Sequence, residues 1–243
     1  MHTCGCETIV IGVTDYLESD KLLTLFTREH GKLRGIARGA RRSSRRFGGA
    51  LELFARLDVQ LVLHEGLSTL READVVTVYR GIRSDLFKIC WAGYACELVE
   101  QLAPEKLPNP RLYRLLTAYL ERLDSAPVVP ADRRFYEINL LNILGYRPAI
   151  DHCSACGTEI PAGTAARVAD AEGALLCTGC NRTGRRISAR AVLFLDRALQ
   201  AGRFGIISAT PQDLDEIGPL LDAAIGAHLG RPLKSLAFLR ELL

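Results

Sequence analysis

Several signatures of chemistry are missing from this chain. It has no GxxxxGK[ST] loop for a nucleotide phosphate. Gly31, Gly35 and Gly39 do not have the spacing of a dinucleotide fingerprint. No HxE precedes a PCxxC, so a zinc deaminase is not supported. His30, His64 and His228 stand apart from any nucleophile and carboxylate that could work with them. These absences tilt the reading away from an enzyme. No apolar run is long enough to cross a bilayer. The opening segment lacks a basic leader followed by a long apolar stretch, so no signal peptide is expected. Net charge is only +3, so the global field is weak and local charge matters more.

One further absence is local. Between Lys32 and Arg46 there is no acid, while Lys32, Arg34, Arg38, Arg41, Arg42, Arg45 and Arg46 are all basic. Glycines at 31, 35, 39, 48 and 49 let the backbone turn or approach a partner closely. Arginine offers a planar fork of donors suited to phosphate oxygens. A polyanion explains such a run, and so does a solvated face that keeps a strand edge from pairing.

From Glu7 to Tyr79 the signals are those of strands: Thr8–Val13, Leu22–Thr27, Leu33–Ala37, Leu51–Phe54, Leu57–Leu63 and Leu70–Val78. Short strands, glycine-containing turns and no long helix predict a five-stranded oligonucleotide-binding (OB-type) barrel over residues 1–80. The basic run then becomes a long loop between the third and fourth strands. Phe26 and Phe54 read as core, and Phe47 as a candidate base-stacking side chain within the loop. After Gly81 the apolar period becomes helical. A helix begins near Ser84, read as its N-cap, and others cover Leu112–Leu123, Phe135–Leu144 (closed by Gly145), a segment from Ser188, Leu214–Leu229 and Leu233–Leu243. Each hides one stripe, so residues 81–243 should form a helical bundle, and the whole an α+β protein.

Of the eight cysteines, four form two CxxC pairs, Cys153/Cys156 and Cys177/Cys180, separated by twenty residues. This spacing predicts one structural zinc held by four thiolates in an insertion spanning 150–186, in a reducing cytosol. Four sulfur ligands leave no open position for catalysis. A redox dithiol is the alternative, but no βαβ context supports it. His152 is a possible substitute ligand or a surface histidine. Cys90 and Cys96 read as core, and Cys4 and Cys6 as part of a frayed end. Arg182, Arg185 and Arg186 extend a basic surface or a solvated face.

The runs LLTLFTREHGKLRGIARGARRSSRRFGGALELFARLDVQL, ELVEQL, FYEINLLNILGYRPAIDHCSACG, LLCTGC and RPLKSLAFL occur in the order seen in the RecO family of bacterial recombination mediators, which this chain resembles from about Glu7 onward. The resemblance implies a DNA-binding barrel, a helical domain with a zinc knuckle, and a cytoplasmic, nucleoid-associated role in DNA repair. It implies single- and double-stranded DNA, RecR and the single-strand-binding protein's C-terminal tail as partners, with RecA served indirectly. It implies strand annealing without nucleotide or catalysis. Arg34, Arg38, Arg41, Arg42, Arg45 and Arg46 would face DNA. Arg133 and Arg134 are candidates for gripping the acidic tail. Two rivals remain: a zinc-containing interaction adaptor whose basic loop holds an acidic protein, and an unrecognised zinc enzyme.

Overall fold

The computed structural model describes residues 3–47, 50–169 and 173–242, with the side chains of Ser44, Arg45, Arg240, Glu241 and Leu242 outside the description. The expectations for Gly48, Gly49 and Leu243, and for the Arg45 side chain, lie outside the described residues. Two compact units emerge, residues 1–126 with 232–243, and residues 127–231.

In the first unit, β1 (Thr3–Tyr16), β2 (Asp20–Thr27), β3 (Gly31–Ala37), β4 (Arg56–Val62) and β5 (Ser68–Thr77) close a barrel in the order β1-β2-β3-β5-β4. One long strand makes closure possible. The first half of β1 pairs with β4, Thr3 opposite Val62 through Ile9 opposite Arg56, and the second half pairs with β2. Between Val10 and Gly12 the register to β2 shifts by one residue. Such a bulge bends the strand and exchanges its inner and outer faces. Cys4, Cys6 and Val10 face the interior before it, and Val13 after it. Cys4 and Cys6 are therefore not frayed: they lie opposite Leu61 and Val59. A short parallel contact, Gly35 opposite Ser68 and Ile36 opposite Thr69, completes the ring.

The connection from β3 to β4 carries the one-turn helix α1 (Ser44–Phe47). Phe47, Ala50 and Leu51 then turn inward and join the barrel core with Leu25, Leu57 and Leu61. Two expectations are corrected here. Leu51–Phe54 is not a strand, since Phe54 takes φ 71° and hydrogen-bonds back to Val10. Phe47 is not a stacking platform: it is 2% exposed, because an apolar ring beside the open barrel is better buried than wet. Phe26 and Phe54 are core as expected.

Helices α2 (Arg80–Arg83), α3 (Leu86–Leu102), α4 (Pro110–Ser125) and α8 (Lys234–Leu242) belong to the same unit. The cap of α3 is Asp85, one residue later than expected; its carboxylate accepts from the Phe87 and Lys88 amides. Ser84 instead hydrogen-bonds Gly81 and ends α2. In α8, the amides of Lys234 and Ser235 donate to Glu97 of α3.

The second unit contains α5 (Pro130–Leu144), α6 (Ala189–Gln200) and α7 (Pro211–Gly226), with a three-stranded sheet ordered β7 (Ala174–Leu176), β6 (Ala166–Ala169), β8 (Arg186–Ile187). Gly145 ends α5 in the left-handed region at φ 81°, as glycine at that position permits. Ser188 caps α6, and Thr210 with Asp213 forms a capping box at the start of α7. Asp213 is buried. Burial opposes its charge, but donors from Arg190 and Thr210 outweigh this and hold its carboxyl below the usual carboxylate range. A depressed carboxylate contributes stability that is complete above its unfolded value near pH 4 and is lost as pH falls further. Asp213→Asn should therefore lower unfolding stability at pH 7, by about 1 kcal/mol if it behaves as a typical cap loss. It should also flatten the stability loss below pH 4, as read by urea denaturation at several pH values.

Candidate nucleic-acid interface and metal site

Parity along the β2–β3 hairpin decides where each basic side chain goes. Leu23, Leu25, Leu33 and Ala37 point into the barrel. Their neighbours Lys32, Arg34 and Ile36 therefore lie on the outer face, opposite Phe26, Thr24 and Leu22. One end of that face is covered: Phe26 packs on Tyr113 of α4, centroids 5.9 Å apart. Lys32 sits at this end. It is buried, its Nζ donates to the Glu100 carbonyl, and its carbonyl accepts from the Lys106 amide. Desolvation lowers its pKa. Lys32 thus does not join the exposed arginines. Arg34, two residues on, is exposed at the margin, with Glu105 3.5 Å away.

The other end of the face, past the buried Ile36, leads into the loop. Arg38, Arg41, Arg42 and Arg46 are exposed there. Backbone contacts hold the loop to the β1–β2 turn. The Gly39 amide donates to Asp20 (2.8 Å) and the Arg41 amide to the Ser19 carbonyl (3.0 Å). Gly39 takes φ 64°, a conformation that side chains rarely adopt. Within the loop, Arg46 donates to the Arg38 carbonyl (2.9 Å) and to Ser43. Arg42 reaches Glu18 at 3.4 Å with both side chains largely exposed, a pair worth at most about 1 kcal/mol. A phosphate competes easily with so weak a contact.

The barrel is polarised. Near the far end of the β2–β3 hairpin, a cleft of about 380 Å³ is lined by Glu7, Glu29, Asp58, Glu72 and Asp74. A polyanion is repelled there and attracted to the arginine end.

In the second unit the four cysteine sulfurs lie within 4.8 Å of one another. Cys156 and Cys177 are 3.8 Å apart, which matches the edge of a tetrahedron with metal–sulfur bonds of about 2.3 Å. Two tight turns converge the pairs: Gly157 donates to the Cys153 carbonyl at φ 72°, and Asn181 donates to that of Cys177. The thiols sort by environment. Burial pushes Cys6 up to about 12, and raises Cys4, Cys90 and Cys96 as well. Cys153 is instead brought down to about 6, first by the backbone of Cys177 and then by the amides of its own turn. Cys156 is lowered by Thr158. Cys180 is pushed up to about 12 by hydrogen bonds with Cys156 and the other thiols. Four sulfurs so close cannot all ionise without a cation among them. The donor set fits a metal ion and is compatible with zinc. His152 is not one of this group; its Nδ1 pairs with Asp151 at 2.6 Å. Arg182, Arg185 and Arg186 are exposed beside the knuckle.

Arg133 and Arg134 lie in the first turn of α5, mostly buried. Their partner is Glu137, which is 0% exposed and receives Arg133 Nε at 2.6 Å and Arg134 Nη1 at 2.7 Å. Arg134 also meets Asp222 at 2.8 Å, and a side chain at Gly218 would collide with it. Sequence reasoning placed these arginines at a partner surface because it could not see the buried carboxylate they neutralise. The acidic cleft has no signal in sequence spacing; the arginines do stand three and four residues before Glu137 on one helix, a spacing that could have pointed to the pairs though not to their burial.

A closed five-stranded barrel of the oligonucleotide-binding type, followed in the chain by helices and a four-cysteine cluster, defines an α+β class of two-part proteins. The family model for the N-terminal part of recombination protein O matches residues 1–79, and that for its C-terminal part matches residues 83–237. The DNA repair protein RecO of Geobacter sulfurreducens is 60% identical over 100% of this chain and 99% of its own, and that of Geobacter metallireducens 55% identical over the same shares. The RecO of Pelobacter propionicus is 45% identical over 100% and 98%. The chain belongs to the RecO family of DNA repair proteins. Among the described residues, no helix is long and apolar enough to cross a membrane.

The Glu137 network yields a prediction. Replacing both Arg133 and Arg134 by alanine removes two guanidinium groups from a buried carboxylate and should cost about 3–5 kcal/mol of stability. Chemical denaturation checks this, and a change under 1 kcal/mol would show that the arginines are not needed to neutralise Glu137.

Proposed function

We propose that this chain is a DNA-binding, strand-annealing recombination mediator acting in the bacterial cytoplasm at the nucleoid. In this reading it works with RecR, meets single-strand-binding protein through that protein's acidic, apolar tail, and eases the loading of RecA. It performs no chemistry of its own. The observation that carries the reading is the cluster of exposed guanidinium groups, Arg38, Arg41, Arg42 and Arg46, on a loop held by its backbone at the end of the barrel face past Ile36. Phosphate neutralisation is blind to sequence, so binding should be general and weakened by salt. Two strands held against one positive surface repel each other less, and complementary bases then pair by thermal encounter with no nucleotide consumed. Lys32, Arg133 and Arg134 are left out, since their charges are used inside the fold. The Arg45 backbone lies within the loop, and we include Arg45 by its position alone. The barrel domain of residues 1–80 supplies this surface. The helical remainder, 81–243, carries the knuckle.

Reversal of Arg38, Arg41, Arg42 and Arg46 to glutamate should abolish annealing of complementary oligonucleotides while circular dichroism remains native. The slope of log affinity against log salt should also fall by about 3 to 4 if each arginine meets one phosphate. Undiminished annealing by the folded variant would sink the loop assignment. If the unaltered protein failed to bind a labelled oligonucleotide even at low salt, an adaptor gripping an acidic protein would be the better reading.

We propose further that Cys153, Cys156, Cys177 and Cys180 hold one structural zinc. When bound, the ion cross-links two turns that have little apolar core of their own. Metal analysis of pure protein should find one zinc per chain, with Cys177→Ser losing it and chelation lowering the melting temperature. Protein purified under reducing conditions and found metal-free would argue for a dithiol pair instead.

A further inference from the structure

Building on the DNA-binding reading, we infer that Tyr16 stacks an unpaired nucleobase of single-stranded nucleic acid beside the arginine loop. Four aromatic residues lie in the barrel segment 3–77: Tyr16, Phe26, Phe47 and Phe54. The three phenylalanines are at most 4% exposed, whereas Tyr16 is 43% exposed. Any ring that stacks a base on this barrel must come from the surface, which leaves Tyr16.

Its direction follows from the bulge in β1. After the register shift at Val10/Gly12, even-numbered residues of β1 face outward, and Tyr16 lies directly opposite Asp20. Directly paired side chains share one face of a sheet. Asp20 on that face accepts the Gly39 amide, so Tyr16 stands on the side where the arginine loop docks. One step beyond the pairing of Lys21 with Ala37, Arg38 falls in line with Asp20 and Tyr16. The next rows on the same face hold Ile36 and then Arg34. Tyr16, Asp20 and Arg38 thus share one row, and Arg34 lies two rows further on past the buried Ile36, so one ring and two guanidinium groups lie on a single face where a base and nearby phosphates could meet them.

The turn itself is unusual. Leu17 is 73% exposed and takes φ 51°, a left-handed conformation that costs a leucine roughly 1 kcal/mol. The contacts from Gly39 and Arg41 to Asp20 and Ser19 hold the turn in this form. Leu17 and Tyr16 therefore project as an apolar and aromatic tip next to positive charge. Stacking needs an exposed base face, which a single strand offers and a duplex withholds.

Fluorescence anisotropy with a labelled oligothymidylate and with a matched duplex tests this. Tyr16→Ala should weaken single-strand binding about tenfold and change duplex binding less than twofold, whereas Tyr16→Phe should bind as the parent. Equal loss on both ligands, or no loss on either, would overturn the stacking role. Tyr16→Trp gives a direct reading: its emission should be quenched by the oligothymidylate and not by the duplex, against the constant background of Trp91. An unmoved signal would also overturn it. The charge-reversed loop variant keeps the two ideas apart. If that variant binds DNA unimpaired, the arginine reading fails whatever Tyr16 does. If it loses binding while Tyr16→Ala does not, only the stacking role fails.

Discussion

The arginine loop is held in place by main-chain hydrogen bonds. Asp20 takes the amide of Gly39, Ser19 takes the amide of Arg41, and the carbonyl of Arg38 takes a guanidinium proton from Arg46. This division of labour is what the rest of the surface depends on. Were the loop held by its charges, those charges would be spent. Because backbone amides tie the loop to the turn, the side chains of Arg38, Arg41 and Arg42 remain exposed, and Arg46 gives guanidinium N–H groups to the loop itself. A fixed course also lowers the entropy lost when a polyanion is bound.

The same logic, reversed, explains the arginines of the second unit. Arg133 and Arg134 surround a carboxylate with no exposure to water, where an unpaired charge would be severely unfavourable. Their positive charge is engaged by Glu137 and Asp222. Residue type is identical in the two places. The difference lies in whether a carboxylate is near and whether water can reach the pair. The cysteines show a parallel contrast: the four thiols outside the knuckle are raised chiefly by burial, while the pairs of the knuckle meet amide donors and one another.

The β1 bulge is a second point on which much turns. It lets one strand belong to both halves of the barrel, and it sends Tyr16 outward where an unbroken alternation would have sent it in. It thereby aligns the β1–β2 turn with the loop, while the opposite end of the hairpin is left to acidic side chains and to helices.

Much of this was legible in the amino-acid order. Strand alternation, helical stripes, the cap at Ser188 and the terminator at Gly145 act through neighbours in the chain, so local pattern reveals them. The paired cysteines are equally local, and their close approach follows from two turns of fixed spacing. Several features depended on contacts between residues distant in sequence. These include the burial of Lys32 under residues 100–106, the inward turn of Phe47 and the pairing of Arg134 with Asp222; the cap at Asp85 and the contacts of Arg133 and Arg134 with Glu137 are local, and there it is the burial of Glu137 that spacing does not reveal. The sequence by itself determined which segments carry charge, sulfur and apolar stripes, because those are properties of composition and period. Only the tertiary structure decided which charges face water. Desolvation and ion pairing are set by what folds over a side chain, and no spacing along the chain records that.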